Sequence, residues 1–305
     1  MTQPTSEAPL FSIFIPTWNN LPFLKLCVES IEKNSTFSHE ILIHVNDGSD
    51  GTLEWVRSRG YKHTHSTDNI GVCWAMNGLR GLMTTDYVMY INDDMYMLPD
   101  WDRVLYDEAL RMPDNLWYLA STMIQPKAHP RRPHSVAVGQ FGTSPDNFDE
   151  AGLLANYKQL APADWRGAVL PPTLVHRSMW DLVGGYSVEF SPGMGSDPDF
   201  NAKLWLAGVR TFKGLGRSLC YHFMSVSVNR IVKNDGPIQF LRKYGMTIRA
   251  FQEQILHVDE WWDDQQPDSP ATIRQELARS SAKKLLTVFK DMKTPTLWDH
   301  IKPKK

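Results

Sequence analysis

Residues 87–101 read YVMYINDDMYMLPDW, and the fold turns on them. Tyr87–Ile91 is a short apolar run of β-favouring residues. Asn92-Asp93-Asp94 closes it, and Leu98-Pro99-Asp100-Trp101 opens a helix with Asp100 as cap and Trp101, Val104 and Leu105 turned inward. Upstream, the same strand-then-helix step recurs. FSIFIP (11–16) is a strand that Pro16 is expected to end, and Leu24, Cys27, Val28 and Ile31 then fall at helical spacing behind Asn20 as N-cap and Pro22 in the first turn. EILIHV (40–45) is a second strand, followed by the turn NDGSDG and a short helix carrying Leu53 and Val56 that Gly60 stops. Val72, Met76, Leu79 and Met83 repeat at helical spacing, and LWYLAS (116–121) is a further strand. Strands alternating with helices imply an α/β fold with a mostly parallel central sheet flanked by helices.

Bulk properties narrow the function classes. With 305 residues, 42% of them hydrophobic and 22% charged, the chain can bury a real core as one large domain or two small ones. A net charge of -2 supplies no positive field for a nucleic acid partner. Cys27, Cys73 and Cys220 lie far apart without a Cys-x-x-Cys pair, so no zinc or disulfide framework is expected. MTQPTSEAPL lacks the basic and apolar runs of a signal peptide, and no apolar segment approaches the roughly 18 residues of a membrane span. A cytoplasmic protein, at most peripheral at the inner face of the membrane, is the expectation.

Beyond Pro126 the rhythm changes. Residues 126–166 are rich in Pro, Gly, Asn and Asp, carry Lys127, His129, Arg131, Arg132 and His134, and read as long loops. AVLPPTLV (168–175) is a strand and SMWDLVGGY (178–186) a short helix closed by glycine. SDPDFNAKLWLAG (196–208) is a helix with Asp197 as N-cap, Pro198 at its first position and Gly208 at its end. EWWDDQQPDSP (260–270) is an acidic linker before a C-terminal helical extension and the basic tail IKPKK. In that extension Leu285, Val288, Phe289 and Met292 share a face ringed by Lys283, Lys284, Lys290 and Lys293. Such a stripe docks on its own domain or on a second copy, or lies on an anionic membrane; docking is the preferred reading.

Ligands of open parallel sheets bind in the crevice at the carboxyl ends of the strands. Three polar clusters belong there: Pro16-Thr17-Trp18-Asn19, Asn46-Asp47-Gly48-Ser49 and Asn92-Asp93-Asp94. An aromatic ring, an isolated carboxylate and a carboxylate pair can stack a base, accept its N–H and hold a metal-bound diphosphate. No Gly-x-Gly-x-x-Gly follows a strand and no Walker lysine loop is present.

SIFIPTWNN (12–20), HVNDGSDGT (44–52), NIGVCWAMNG (69–78) and YVMYINDDMYMLPDW resemble, in order and spacing, the N-terminal half of family-two inverting glycosyltransferases. VHRSMWDLVGGY (175–186), GSDPDFNAKLWLAG (195–208) and YHFMSVS (221–227) resemble that family's acceptor segment and late histidine element. The resemblance covers about residues 10 to 250. It implies a GT-A-type layered fold, with a nucleotide-sugar half at 10–125, an acceptor half at 126–250, and the extension at 251–305.

The roles it implies are these. Pro16, Thr17, Trp18 and Asn19 line the nucleoside pocket, with Trp18 on the base, and Asp47 accepts a pyrimidine N–H. Asn69 and Asn77 stand beside the donor or fix loop geometry. Asn92-Asp93-Asp94 occupies the Asp-x-Asp metal motif with Asn in its first position, which leaves Asp94 as the metal ligand and Asp93 near the sugar or ribose. His222 completes the metal or diphosphate site, and Asp197 is the general base. The implied cofactor is Mn2+ or Mg2+. The implied partners are a nucleotide-sugar donor, UDP-linked, and a glycan or lipid-linked glycan acceptor.

Plainer roles compete at each position. Asp93 and Asp94 could be turn residues and Asp197 a helix cap, with Asp199 as the rival base. His222 could be a satisfied structural histidine, Asp47 a turn former and Trp18 core. His63 and His65 alternate along an extended segment and read as surface; Arg131 and Arg132 read as a solvated loop, the alternative being a mobile basic loop that contacts diphosphate. A sugar-nucleotide pyrophosphorylase would want a glycine-rich basic loop after the first strand, which FIPTWNN lacks. A catalytically silent nucleotide- or glycan-binding module would have no need of Asp94, Asp197 and His222 together.

Overall fold

The computed structural model describes residues 8–225, 234–265 and 273–287. Among them the chain forms one mixed sheet in the order β3-β2-β1-β4-β9-β6-β10-β5, with β7 beside β6, β8 beside β10, and β5 (Met95–Met97) antiparallel to β10 at the edge. The first half is parallel: β1 (Ser12–Trp18) lies between β2 (Glu40–Asn46) and β4 (Tyr87–Tyr90), and β3 (Lys62–Ser66) extends the edge. β6 (Trp117–Gln125) and β10 (Thr211–His222) are also parallel, while β9 (Thr173–His176) runs antiparallel between β4 and β6. The mostly parallel, helix-flanked layering expected from the sequence is present.

Alternation along the strands makes the two cores. Ile13, Ile15, Ile43 and Met89 face one side, where α1 (Leu21–Asn34) and α4 (Trp101–Arg111) bring Leu24, Cys27, Val28, Trp101 and Leu105. Phe14, Leu42 and Val88 face the other, against α3 (Gly71–Leu79), α6 (Arg177–Val183) and α7 (Ser196–Leu206), which contribute Met76, Met179 and Phe200. α8 (Gly236–Tyr244) and α9 (Ile248–Gln254) cover that second core with Phe240 and Phe251.

Several local expectations are corrected. Pro16 does not end β1, which runs on to Trp18. β4 pairs with β1 only as far as Phe14, so beyond that point one side of β1 has no ladder to interrupt, the setting in which a strand tolerates proline. Asn20 stands at the N-cap position without a cap bond from its side chain, and the Leu21 amide donates to Asp50 Oδ2 at 3.0 Å instead. Asp100 precedes α4 in a left-handed conformation, again without a cap bond. The 126–166 region is less irregular than its composition suggests, holding β7 (Val136–Val138), α5 (Glu150–Asn156) and β8 (Trp165–Arg166).

α7 starts two residues earlier than expected. Gly195 is its N-cap at φ 88°, so Asp197 lies inside the first turn and caps nothing. In α10 (Ile273–Leu286), Leu285 and Leu286 are exposed, and Arg242 of α8 donates to Thr287 Oγ1 at 3.1 Å. Val288, Phe289 and Met292 of the expected stripe lie outside the described residues. None of the described helices is long and apolar enough to cross a membrane.

Candidate active site

The carboxyl ends of β1, β2 and β4 open onto a cavity of about 500 Å³. Pro16, Thr17 and Trp18 supply one wall with Asn46. Asn92, Asp93 and Asp94 form the floor beside His222, and Asp197 stands on the wall that Pro192, Gly193, Met194 and Ser196 continue. Residues as far apart in sequence as Pro16 and Ser225 thus meet at one sheet edge, as the crevice rule requires.

Asn19 and Asp47 each follow a wall residue and lock the two loops together. Asn19 Nδ2 donates to Asp47 Oδ2 at 2.8 Å, while the Gly48 amide donates to Asn19 Oδ1 at 2.8 Å. Both residues have positive φ, 44° and 61°, a cost that this exchange of bonds offsets. Hydrogen bonds from Asn19 and Ser49 hold the Asp47 carboxyl below the usual carboxylate range, so it is a charged acceptor at neutral pH.

On the floor, Thr17 Oγ1 donates to Asp93 Oδ2 at 2.6 Å. Asp94 is buried; its Oδ2 accepts the Ser225 amide at 2.8 Å and lies 3.3 Å from His222 Nε2. Burial pushes the Asp94 carboxyl up, but the neighbouring His222 and the Ser225 amide outweigh it and hold the group below its ordinary value. His222 Nδ1 meets Gln125 Nε2 at 2.8 Å.

Among the described residues no group of three or more His, Cys, Asp or Glu is arranged to hold a metal ion. Asp94 and His222 therefore offer two protein ligands at most. That set fits Mg2+ or Mn2+ in the way such ions bind nucleotides, with one or two side chains and the remaining positions filled by phosphate oxygens and water.

Opposite the floor, Tyr186 Oη donates to Asp197 Oδ1 at 2.9 Å. Tyr186 is itself fixed by stacking on Phe200 at 4.9 Å and by packing on Trp180. Burial pushes the Asp197 carboxyl up to about 6, a rise that the Tyr186 hydrogen bond and the charge of Arg132 only moderate. Arg132 is half-buried and acts on Asp197 and Asp259, so it is not the solvated loop residue that the sequence suggested. Its loop is pinned by Asp259, which accepts the amides of His134 and Ser135, and by the stack of His134 on Trp261 at 4.0 Å.

Asp199 has another occupation. Its Oδ1 accepts from Lys243 Nζ at 2.8 Å and Tyr244 Oη at 2.7 Å, and the residue is fully buried away from the cavity walls. Asn69 lies in the wall, its Oδ1 accepting the Gly71 amide at 2.9 Å. Asn77 does not. Its Nδ2 donates to Tyr186 O at 2.7 Å and its Oδ1 accepts the Tyr186 amide at 2.9 Å, so both ends of its amide hold the loop that carries Tyr186. Gly71 is required by close approach: at φ 78° a Cβ there would stand 2.5 Å from the Pro192 Cα of the opposite wall. His65 Nε2 lies 2.9 Å from the Asp47 carbonyl on the edge strand, which accords with the surface reading of the two histidines.

Sequence reasoning missed Tyr186, Gln125, Arg132 and the Pro192–Met194 wall. Tyr186 sits within the quoted stretch VHRSMWDLVGGY, so a signal existed; Gln125 is an ordinary strand-end residue with none.

Residues 12–162 match the family described as "Glycosyl transferase family 2". Crystal structures of residues 1–349 of S. aureus TarS, alone and in complex with UDP, are similar at 14% identity with TM-scores of 0.53 and 0.52. Each match covers 92% of this chain and 72% of that one. The crystal structure of S. aureus TarS is similar at 13% identity and a TM-score of 0.51, over 93% of this chain and 44% of that one. At such identity these likenesses establish a shared fold. No curated protein matches the chain in sequence.

Proposed function

We propose, from the premise that residues 12–162 are a glycosyl transferase family 2 domain, that the chain moves a hexose from a UDP-sugar to a hydroxyl of a glycan or lipid-linked glycan by inverting single displacement. One observation carries this reading. A half-buried carboxyl that desolvation raises to about 6 and a floor of Asp93, Asp94 and His222 line the same cavity.

The division of labour follows from the geometry. Trp18 stacks on the base and Asp47 accepts its N–H, with Asn19 keeping Asp47 in place. The Pro16 and Thr17 wall borders the nucleoside, and Thr17 orients Asp93 toward the ribose or sugar. Asn69 shapes the rim and Asn77 positions Tyr186. Asp94 and His222 would hold Mg2+ or Mn2+, which would supply positive charge to the leaving diphosphate. Asp197 takes the proton of the acceptor hydroxyl as that oxygen bonds to the anomeric carbon and the bond from that carbon to the diphosphate breaks, releasing UDP. Tyr186 fixes the direction of the accepting carboxylate through its bond to Oδ1.

A base must be deprotonated to act. Because burial raises the Asp197 carboxyl, activity is expected to fall about tenfold per pH unit below about 6, where an ordinary aspartate would stay active to about 4. The kcat/KM for UDP release measured between pH 4.5 and 8 tests this, and a flat profile down to pH 4.5 would assign the base elsewhere.

Base recognition gives a second test. Losing a hydrogen bond to a charged acceptor costs about 1.5–3 kcal/mol, so Asp47→Ala is expected to weaken UDP binding roughly tenfold or more. Asn19→Ala should follow it in part, since Asn19 holds Asp47 in its left-handed conformation. Titration calorimetry with UDP, ADP and GDP reads both effects; tight GDP binding with no response to UDP would show the pocket misassigned.

A further inference from the structure

We propose that Gln125 is a positioning residue that sets which nitrogen of His222 carries the proton, turning its side-chain amide over when Nε2 is needed as a ligand. This rests on the reading of Asp94 and His222 as the cation's protein ligands. Gln125 closes β6, is buried, and directs its amide at the ring: Nε2 lies 2.8 Å from His222 Nδ1. Among the described residues that nitrogen's one other bond is a weak one to Met123 Sδ at 3.7 Å. Gln125 Oε1 is buried with no hydrogen-bond partner among the described residues.

A neutral imidazole has one N–H and one bare nitrogen. His222 Nε2 faces Asp94 Oδ2 at 3.3 Å, and an ionised carboxylate only accepts, so the proton belongs on Nε2. Nδ1 is then bare and can accept the Gln125 N–H, which fits the 2.8 Å approach of Gln125 Nε2 to it. Ligation by Nε2 demands the reverse. The ring must give up the Nε2 proton and gain one at Nδ1, with no net change in charge, and Nδ1–H needs an acceptor. An amide serves both states, since half a turn about its last bond exchanges Oε1 for Nε2. Among the described residues the turn sacrifices little, because Oε1 has no partner there and Nε2 gives up only its sulfur contact besides.

Glutamate and leucine separate this role from packing. Gln125→Glu is an obligate acceptor and favours a proton on Nδ1. Gln125→Leu keeps the bulk and offers neither donor nor acceptor. With the full chain and UDP present, Mn2+ titrated by electron paramagnetic resonance is expected to bind the leucine variant about tenfold or more weakly than the parent, the scale on which such supporting contacts act. The glutamate variant should match or exceed the parent. In metal-free protein, nitrogen NMR of His222 should show Nδ1 bare in the parent and protonated in the glutamate variant.

Were Gln125 mere filling, the ranking would invert, with leucine harmless and a buried glutamate damaging. That inversion, or parent-like Mn2+ affinity in the leucine variant, would overturn the proposal. A parent that binds UDP but no Mn2+ would sink the cation reading instead. The NMR arm would then decide on Gln125, and an Nδ1 left bare in the glutamate variant would overturn it. A variant that fails to fold is replaced by Gln125→Met against Gln125→Glu, under the same two readouts.

Discussion

Asp197→Asn is expected to lower the transfer rate by roughly a hundredfold or more while leaving the fold and the affinity for UDP intact. The amide keeps the shape of the side chain and can still accept from Tyr186 Oη, yet it cannot take a proton from the acceptor. The stability of the variant is informative in its own right. A carboxyl whose folded value lies above its unfolded one holds its proton more tightly in the folded protein. Asp197 therefore costs stability above about 6, and that cost vanishes as pH falls toward 4. A neutral amide escapes the cost, so the variant should melt no lower than the parent at pH 7.5, and a helix-cap role would give no rate loss at all. Asp199→Asn is expected to do the opposite. It weakens a buried bond to Lys243 and Tyr244 and lowers the melting temperature, with residual activity tracking the folded fraction. Turnover lost in a well-folded Asp199→Asn and kept in Asp197→Asn would reverse the assignment.

The second large effect is expected at Asp94. Neutralising the diphosphate as it leaves contributes several kcal/mol of transition-state stabilisation, so Asp94→Asn should cost about a thousandfold or more in kcat. The asparagine keeps an oxygen for the Ser225 amide, so the loop should stay in place. His222→Ala should cost less, because it leaves the Asp94 carboxylate in place. Excess chelator should silence the parent protein in the same assay. Full turnover in chelator, or in Asp94→Asn, would rule out a metal-assisted mechanism at this floor.

The sequence was most legible where strands end in polar clusters. Ile13 and Ile15 against Phe14, then the Asn46 and Asn92 loops, mark β1, β2, β4 and the cavity edge in the sequence alone. Long-range pairings were not legible. β10 was invisible because Gly214-Leu215-Gly216-Arg217-Ser218 reads as a loop. Its glycines are there because a Cβ on Gly214 would lie 1.9 Å from the Trp165 ring, and one on Gly216 would lie 2.0 Å from Pro162 O. A strand whose glycines answer to a distant tryptophan has no local signature.

Asp197 shows the same limit at the site. Asp-Pro reads as a cap by propensity, and only the left-handed Gly195 shifts the helix start so that Asp197 faces the cavity while Asp199 turns to Lys243. The assignment of Asp197 over Asp199 needs α8, whose Lys243 and Tyr244 occupy the rival carboxylate. Asn77 was expected beside the donor or fixing a loop; its partner, the Tyr186 backbone, is 109 residues away.

The cavity's proposed occupant is a UDP-sugar whose diphosphate rests on a cation at Asp94 and His222. Melting temperature of the parent protein with UDP, with and without Mn2+, tests that most directly, since ligand held by the folded state raises its apparent stability. The expected result is a rise with UDP that grows when Mn2+ is added, is absent with ADP, and loses its Mn2+ increment in Asp94→Asn. A parent indifferent to UDP, or a UDP response that Mn2+ leaves unchanged, would contradict it.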